Sequence, residues 1–399
     1  MSVTAPKGFE AAGLACGIKP SGAPDLALVA TADRTPVTAA GVFTTNLACA
    51  APVQISRRHL DDGRAAAVVL SSGNANAATG EQGRQAALRM CDLAAESLGC
   101  ASDDVLVCST GLIGIPMPMA PLEEGIPKAV VALAGGPEAA AAAAQGIMTT
   151  DTVPKQAIAT ATLGDGTTIT VGGMAKGAAM LAPSMATMLA VLTTDAAVQA
   201  AVLQEALTAA VNDTFNALVV DACTSTNDTV LVLASGAAGN ALIDDGGADL
   251  AALAGAMTSV CDQLAEAMAG DAEGATKLVR LTVTSAANDA EARQAARKVA
   301  SSQLVQCSLY GADPYWGRVL SELGTSGASF DPEQVTIAYN GITVCEQGIA
   351  VPHDEAALAT AMAARDISIS CDLRAGTGEA SMRFTDLTHA YIDENTGTS

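Results

Sequence analysis

Thr187 is the residue of this chain whose neighbours best suit it to chemistry. It follows Ala186 within Lys-Gly-Ala-Ala-Met-Leu-Ala-Pro-Ser-Met-Ala-Thr-Met-Leu-Ala-Val-Leu-Thr-Thr (176–194), a Gly/Ala-rich stretch bent by proline. Cleaving the Ala186–Thr187 bond would free the threonine's α-amine, so that one residue carries a hydroxyl nucleophile and its base, an arrangement found in acyl-transfer enzymes. The competing reading is a buried turn followed by an apolar helix, with the Thr187 hydroxyl bonded back to the backbone. Other bases are scarce. The three histidines, His59, His353 and His389, are isolated from any Ser, Cys or carboxylate motif, leaving little support for a Ser-His-Asp triad or a histidine metal site. An α-amine, with an ordinary pKa of about 8, suits the task at neutral pH.

Composition bounds what such chemistry serves. With 399 residues, 50% of them hydrophobic, the chain can bury a large core as two domains or as one two-layer sandwich. A formal charge of −22 without basic runs argues against nucleic acid or an anionic membrane as partner. An acidic small molecule stays compatible, because one nearby lysine outweighs distant charge screened over about 8–10 Å. No apolar stretch reaches the ~20 residues of a membrane span, and Glu10 interrupts what would be a signal peptide's apolar region. The expectation is a cytoplasmic protein outside membranes. Ten cysteines show neither CxxC nor metal-ligand spacing and read as small buried thiols.

The elements that must position the chemistry show as patterns. Leu88, Cys91, Ala95 and Leu98 share a helical face ending at Gly99, and Leu253, Met257, Val260, Cys261, Leu264 and Met268 mark another. Residues 65–70 and 229–234 read as short buried strands, 278–284 alternates, and 335–339 with 342–344 predicts a hairpin around Asn340-Gly341. A second hairpin is expected across 367–373 and 380–385. The Ala-rich run 135–144 suits a solvent-side helix or a loop and receives no role. Lacking a βαβ rhythm, GxGxxG and a Walker sequence, the chain favours an α+β fold with packed sheets over doubly wound nucleotide-binding folds.

Residues 176–189 closely resemble the self-cleavage motif of the ornithine acetyltransferase family, the bifunctional glutamate N-acetyltransferases of arginine biosynthesis. Further blocks resemble that family in its order: Ala-Gly-Val-Phe-Thr-Thr-Asn (40–46), Ser-Gly-Asn-Ala-Asn (72–76), Cys-Ser-Thr-Gly-Leu-Ile-Gly (108–114), Met-Thr-Thr-Asp-Thr (148–152) and Pro154-Lys155. Ser-Thr-Asn-Asp-Thr (225–229), Glu-Gly-Ala-Thr-Lys (273–277) and Gly-Ala-Asp-Pro-Tyr-Trp-Gly-Arg (311–318) continue the series, so the resemblance spans essentially the whole chain.

The resemblance implies an α+β sandwich whose precursor cuts itself into an α chain, 1–186, and a β chain, 187–399, that stay together as α2β2. Thr187 would be the nucleophile, with Thr110 and Gly111 as the oxyanion hole: a hydroxyl and a backbone N–H on a Gly-containing turn can both point at developing negative charge. Thr150, Lys176, Thr187, Glu273 and Asn395 match substrate contacts. The chain ends one residue short of the family's terminal Thr, and Ser399 is the nearest counterpart. Two further departures are Ala179, where the family more often has Gly, and Cys223 at a commonly polar position.

The implied substrates are N-acetylornithine and glutamate, which share an α-carboxylate but end in opposite charges. Lys176 fits as anion partner and Glu273 as cation partner; the competing reading of each is a surface ion pair. No metal or tightly bound cofactor is implied, and acetyl-CoA is left open as a second acetyl donor. Two other readings stand beside this one: a hydrolase on a related self-processed aminopeptidase scaffold, and a non-catalytic assembly protein.

Overall fold

The computed structural model describes residues 2–181 and 188–396, which divide into two units. The first, from 2–177, 188–216 and 224–268, contains two sheets. One has the order β1 (Phe9–Leu14), β2 (Leu26–Thr31), β5 (Ala67–Asn74), β6 (Val105–Leu112). The other runs β4 (Arg64–Ala65), β3 (Val37–Phe43), β11 (Thr229–Ala234), β9 (Leu189–Thr194), β8 (Thr168–Lys176), β7 (Lys155–Thr162). Val29, Val68 and Leu106 of the first sheet meet Met174, Val191 and Leu231 of the second in one core.

Helices cover the outer faces. On the first sheet, α1 (Ala51–His59), α2 (Gly80–Leu98) and α3 (Met119–Val131) bring Ile55, Met90 and Leu122 against Leu28 and Val69. On the second lie α5 (Ala200–Asp213) and α6 (Ala248–Gly270), the latter close enough that a Cβ on Gly173 would sit 2.7 Å from Val260. With both faces covered, β2, β9 and β11 are buried at every position, which is why they read as continuous apolar runs.

The second unit, within 178–181, 217–223 and 269–396, holds one sheet. Its order is β10 (Leu218–Val219), β17 (Gly378–Thr385), β12 (Leu278–Ala286), β16 (Asp366–Asp372), β13 (Thr336–Tyr339), β14 (Ile342–Glu346), β15 (Ile349–Ala350). One face packs on α7 (Asp289–Ala300), α8 (Gln303–Tyr310), α9 (Trp316–Gly324) and α10 (Glu355–Ala363), with Val299, Leu309, Leu323 and Met362 against Leu281, Ile369 and Phe384. The opposite face is more open, so β16 alternates buried and exposed. The last described helix is α11 (His389–Glu394).

Most expected elements are present, and the α+β sandwich stands. Gly99 ends α2 at φ 80°, and Asn340-Gly341, at φ 47° and 79°, makes the type I′ turn. The second expected hairpin does not form: β12 lies between β16 and β17, parallel to one and antiparallel to the other. Leu373 and Ala375 donate to the carbonyls of Thr284 and Ser285, drawing the connection over the end of β12. The single strand expected over 65–70 is split at Ala66 between two sheets, and the Ala66 N–H bonds to the Asp104 carbonyl. The Ala-rich run is not a solvent-side element. It forms α4 (Pro137–Gly146), whose Ala140, Ala143 and Ala144 are buried where Gly13 of β1 permits close approach. The apolar residues after Thr187 form β9 rather than a helix. Of the cysteines, Cys91, Cys108, Cys261, Cys345 and Cys371 are buried, whereas Cys223 and Cys307 are exposed. Among the described residues, no helix is long and apolar enough to cross a membrane.

Candidate active site

In the first unit, β6 runs parallel to β5 until the register slips at Gly73 and Asn74. The slip leaves Gly111 exposed at φ 130°, and a Cβ there would lie 2.3 Å from the Gly73 carbonyl carbon, so only glycine fits. Thr110 beside it is buried, and its hydroxyl makes no hydrogen bond among the described residues. A donor held at a strand end without an internal partner can serve a developing oxyanion.

Asn227 fixes this turn from the neighbouring sheet, its Nδ2 donating to the carbonyls of Ser109 at 2.8 Å and Ala75 at 2.5 Å. The next residue, Asp228, accepts the Met188 N–H on Oδ1 at 2.8 Å. Asp228 is fully buried, and its Oδ2 has no hydrogen-bond partner among the described residues. Burial drives its carboxyl well above the ordinary range, against the Met188 N–H, the Ser225 hydroxyl and the Lys176 charge. Residues 227–228 thus join the Thr110–Gly111 turn to the residue that follows Thr187.

Lys176 ends β8 opposite Leu189 and is buried. Its Nζ lies 3.9 Å from Asp151 Oδ2, while Asp151 Oδ1 receives Lys155 Nζ at 2.6 Å and the Gly177 N–H at 2.8 Å. Burial pushes the Asp151 carboxyl up, but the Lys176 and Lys155 charges and its hydrogen bonds outweigh it and hold the pKa at about 2. Thr150, exposed beside Asp151, follows Thr149, whose N–H donates to Asp151 Oδ2 at 3.0 Å. Thr110, Gly111, Thr150 and Lys176 therefore all belong to this unit.

Glu273 and Asn395 come together in the second unit. Asn395 Nδ2 donates to Glu273 Oε2 at 2.7 Å and to the Tyr391 carbonyl at 2.9 Å. Tyr391 Oη in turn donates to Asp221 Oδ2 at 3.1 Å, and burial raises both the Asp221 carboxyl and the Tyr391 phenol. Glu273 is buried, so it is not the surface ion pair of the competing reading; nor is Lys176.

Ala186, Thr187 and Ser399 lie outside the described residues. Asp151, Asn227 and Asp228 received no individual role from sequence, although the blocks 148–152 and 225–229 contain them. Their signal is burial of polar side chains inside those blocks, which spacing alone does not reveal.

A sequence model of the ArgJ family matches residues 10–397. The arginine biosynthesis bifunctional protein ArgJ of Symbiobacterium thermophilum is 49% identical over 393 residues, covering 98% of this chain and 97% of that one. Its namesake from Mycobacterium leprae is 47% identical over 406 residues, covering 100% and 95%. The crystal structure of an arginine biosynthesis bifunctional protein from Bacillus halodurans aligns at 39% identity and a TM-score of 0.50, over 51% of this chain and 96% of that one.

Proposed function

This chain belongs to the ArgJ family, acyltransferases of arginine biosynthesis, and we propose that it moves the acetyl group of N-acetylornithine to glutamate through an acetyl-threonine at Thr187. The observation that carries the reading is the hydrogen-bonded array of Ser109, Asn227, Asp228 and Met188, which ties the Thr110–Gly111 turn to the chain adjoining Thr187.

In this reading the precursor cuts itself at Ala186–Thr187, giving chains 1–186 and 187–399 that assemble as α2β2 in the cytoplasm. The hydrogen bonding of β8 to β9 and of β3 to β11 supports continued association, because each pair joins one strand from either side of the cut. The Bacillus halodurans chain has 96% of its length matched by 51% of this one, the proportion expected of one half of a processed precursor. Thr187 Oγ attacks the acetyl carbon while its proton passes to the Thr187 α-amine. The acetyl C–N bond then breaks as that proton moves to the ornithine nitrogen. Glutamate's amine takes the acetyl group by the same steps reversed. Thr110 and Gly111 stabilise the oxyanions, Lys176 and Thr150 hold the carboxylate end, and Glu273 with Asn395 and Ser399 serves the variable end. The route needs no metal or bound cofactor, and acetyl-CoA is a second donor to be assayed.

The test is single-turnover chemistry. N-acetylornithine alone should release about one ornithine per site and add one acetyl group to a chain beginning at Thr187, as ping-pong transfer requires. Glutamate should then remove that mass and yield N-acetylglutamate. Continuous acetate release without glutamate would support the hydrolase, and intersecting kinetic lines without an adduct would remove Thr187 from the mechanism.

A further inference from the structure

Within the second unit, Glu273 and Asp221 are joined by two routes. On one, the Glu273 N–H donates to the Ala178 carbonyl at 2.9 Å, and two residues further along the Met180 N–H donates to Asp221 Oδ2 at 2.5 Å. On the other, Tyr391 Oη donates to the same Asp221 oxygen at 3.1 Å, the Tyr391 carbonyl accepts Asn395 Nδ2 at 2.9 Å, and that nitrogen also donates to Glu273 Oε2 at 2.7 Å. Glu273, Ala178, Met180, Asp221, Tyr391 and Asn395 thus form a closed ring. Two backbone features hold its shape. Met180 sits in the left-handed region at φ 54°, uncommon for a residue with a side chain, with its N–H on Asp221. Gly274, at φ 62°, lets α11 approach: a Cβ there would stand 2.4 Å from the Tyr391 nitrogen, and the Gly274 carbonyl accepts the Thr388 hydroxyl at 2.7 Å.

The ring decides which atoms are left for a ligand. A side-chain amide has two N–H donors, and Asn395 spends one on the Tyr391 carbonyl and one on Glu273. Turning the amide over would set Oδ1 against a carbonyl and a carboxylate, so those two acceptors fix its orientation. Only acceptors remain: Asn395 Oδ1 and Glu273 Oε1, neither of which takes a hydrogen bond among the described residues. Nor does Glu273 form a salt bridge among them. A buried carboxylate with one oxygen tied and the other open, next to an amide oxygen without a partner, offers a cation two acceptors and an anion no donor. Tyr391 serves the arrangement twice, its hydroxyl anchoring on Asp221 and its carbonyl orienting the amide four residues on.

We propose that Tyr391 is a positioning residue that sets the charge preference of this site, holding the Asn395 amide so that Asn395 Oδ1 and Glu273 Oε1 receive the terminal ammonium of N-acetylornithine; this rests on the acetyltransferase reading above. Acting through Asn395 rather than on the substrate, Tyr391 should matter where a donor has a cation to place. N-acetylnorvaline, the same acid without the terminal ammonium, provides the comparison. Tyr391→Phe removes the bond to Asp221 and keeps the aromatic ring. Its kcat/KM for N-acetylornithine should fall about 3–10-fold, mainly through KM, the loss expected of one hydrogen bond. The fall with N-acetylnorvaline should be much smaller, so the preference for the ammonium-bearing donor narrows. In a Glu273→Gln background, where that preference is already gone, Tyr391→Phe should cost little more. Equal losses with both donors, or full additivity with Glu273→Gln, would make Tyr391 a structural brace, and no loss with either donor would also overturn the proposal. If the variant does not fold by circular dichroism, amide hydrogen exchange of the wild-type protein decides: ornithine should slow exchange across 388–395 and norvaline should not, and equal or absent protection overturns the assignment. Failure of the acetyltransferase reading is distinct, since the wild-type enzyme would then not turn over N-acetylornithine.

Discussion

Asp228 accepts the Met188 N–H at 2.8 Å, so a buried acid holds the first peptide that follows Thr187. Its folded pKa is raised, chiefly by burial, while the unfolded chain ionises near the ordinary 3.8. Between those two values the unfolded state loses its proton first, and stability falls as pH rises. Asp228→Asn keeps an acceptor for Met188 and removes that titration. Its melting temperature should match the wild type near pH 4 and exceed it at pH 8, with lower turnover; coincident melting curves at both pH values would count against a buried neutral acid.

Asp151 has the opposite sign. Its folded pKa of about 2 lies below the ordinary 3.8, so its contribution is complete above the unfolded value and is lost as pH falls through about 2. Asp151→Ala takes the 2.6 Å carboxylate from a fully buried Lys155 and should cost about 3–5 kcal/mol, the range for a broken buried pair. Denaturant unfolding at pH 7 measures that loss. At pH 1.5 the gap between variant and wild type should narrow, and a constant gap would contradict the charge-based account.

How much of this was legible in sequence depended on the range of the interaction. Gly99 and Asn340-Gly341 act within a few residues, and both appear where their types require them. The pairing of β12 with β16 and β17 joins residues about a hundred positions apart, and alternation specifies a strand's faces without naming its partner. The site divides likewise. Lys176 and Glu273 stand within motif blocks, whereas Asn395 gains its setting from a hydrogen bond to Glu273, 122 positions away, which no local pattern connects to it.

Asn227 is a brace rather than a reactive group. Asn227→Ala removes two donors from the buried carbonyls of Ala75 and Ser109, which should cost about 1–3 kcal/mol for each acceptor left unsatisfied. Because Ser109 precedes Thr110, turnover should fall along with stability, and Asn227→Asp should not rescue it, since an ionised carboxylate cannot donate. A destabilised variant with wild-type kcat at low temperature would show that the turn does not need this brace.

Thr110 gives the most direct test of the oxyanion assignment, because the residue is held in a buried position at the end of β6 and its hydroxyl makes no hydrogen bond among the described residues. Removing it therefore breaks no described hydrogen bond, and Thr110→Ala should change stability little. A donor that acts only in the transition state is worth about 2.7–4 kcal/mol, or roughly 10²–10³ in turnover. The expected result is a fall of that size in kcat with KM for N-acetylornithine nearly unchanged, in both acetylation and deacetylation, since each passes through an oxyanion. Thr110→Ser, which retains the hydroxyl, should recover much of the rate. A rise in KM at constant kcat would make Thr110 a ground-state substrate contact, and wild-type kinetics in Thr110→Ala would leave the oxyanion to other donors.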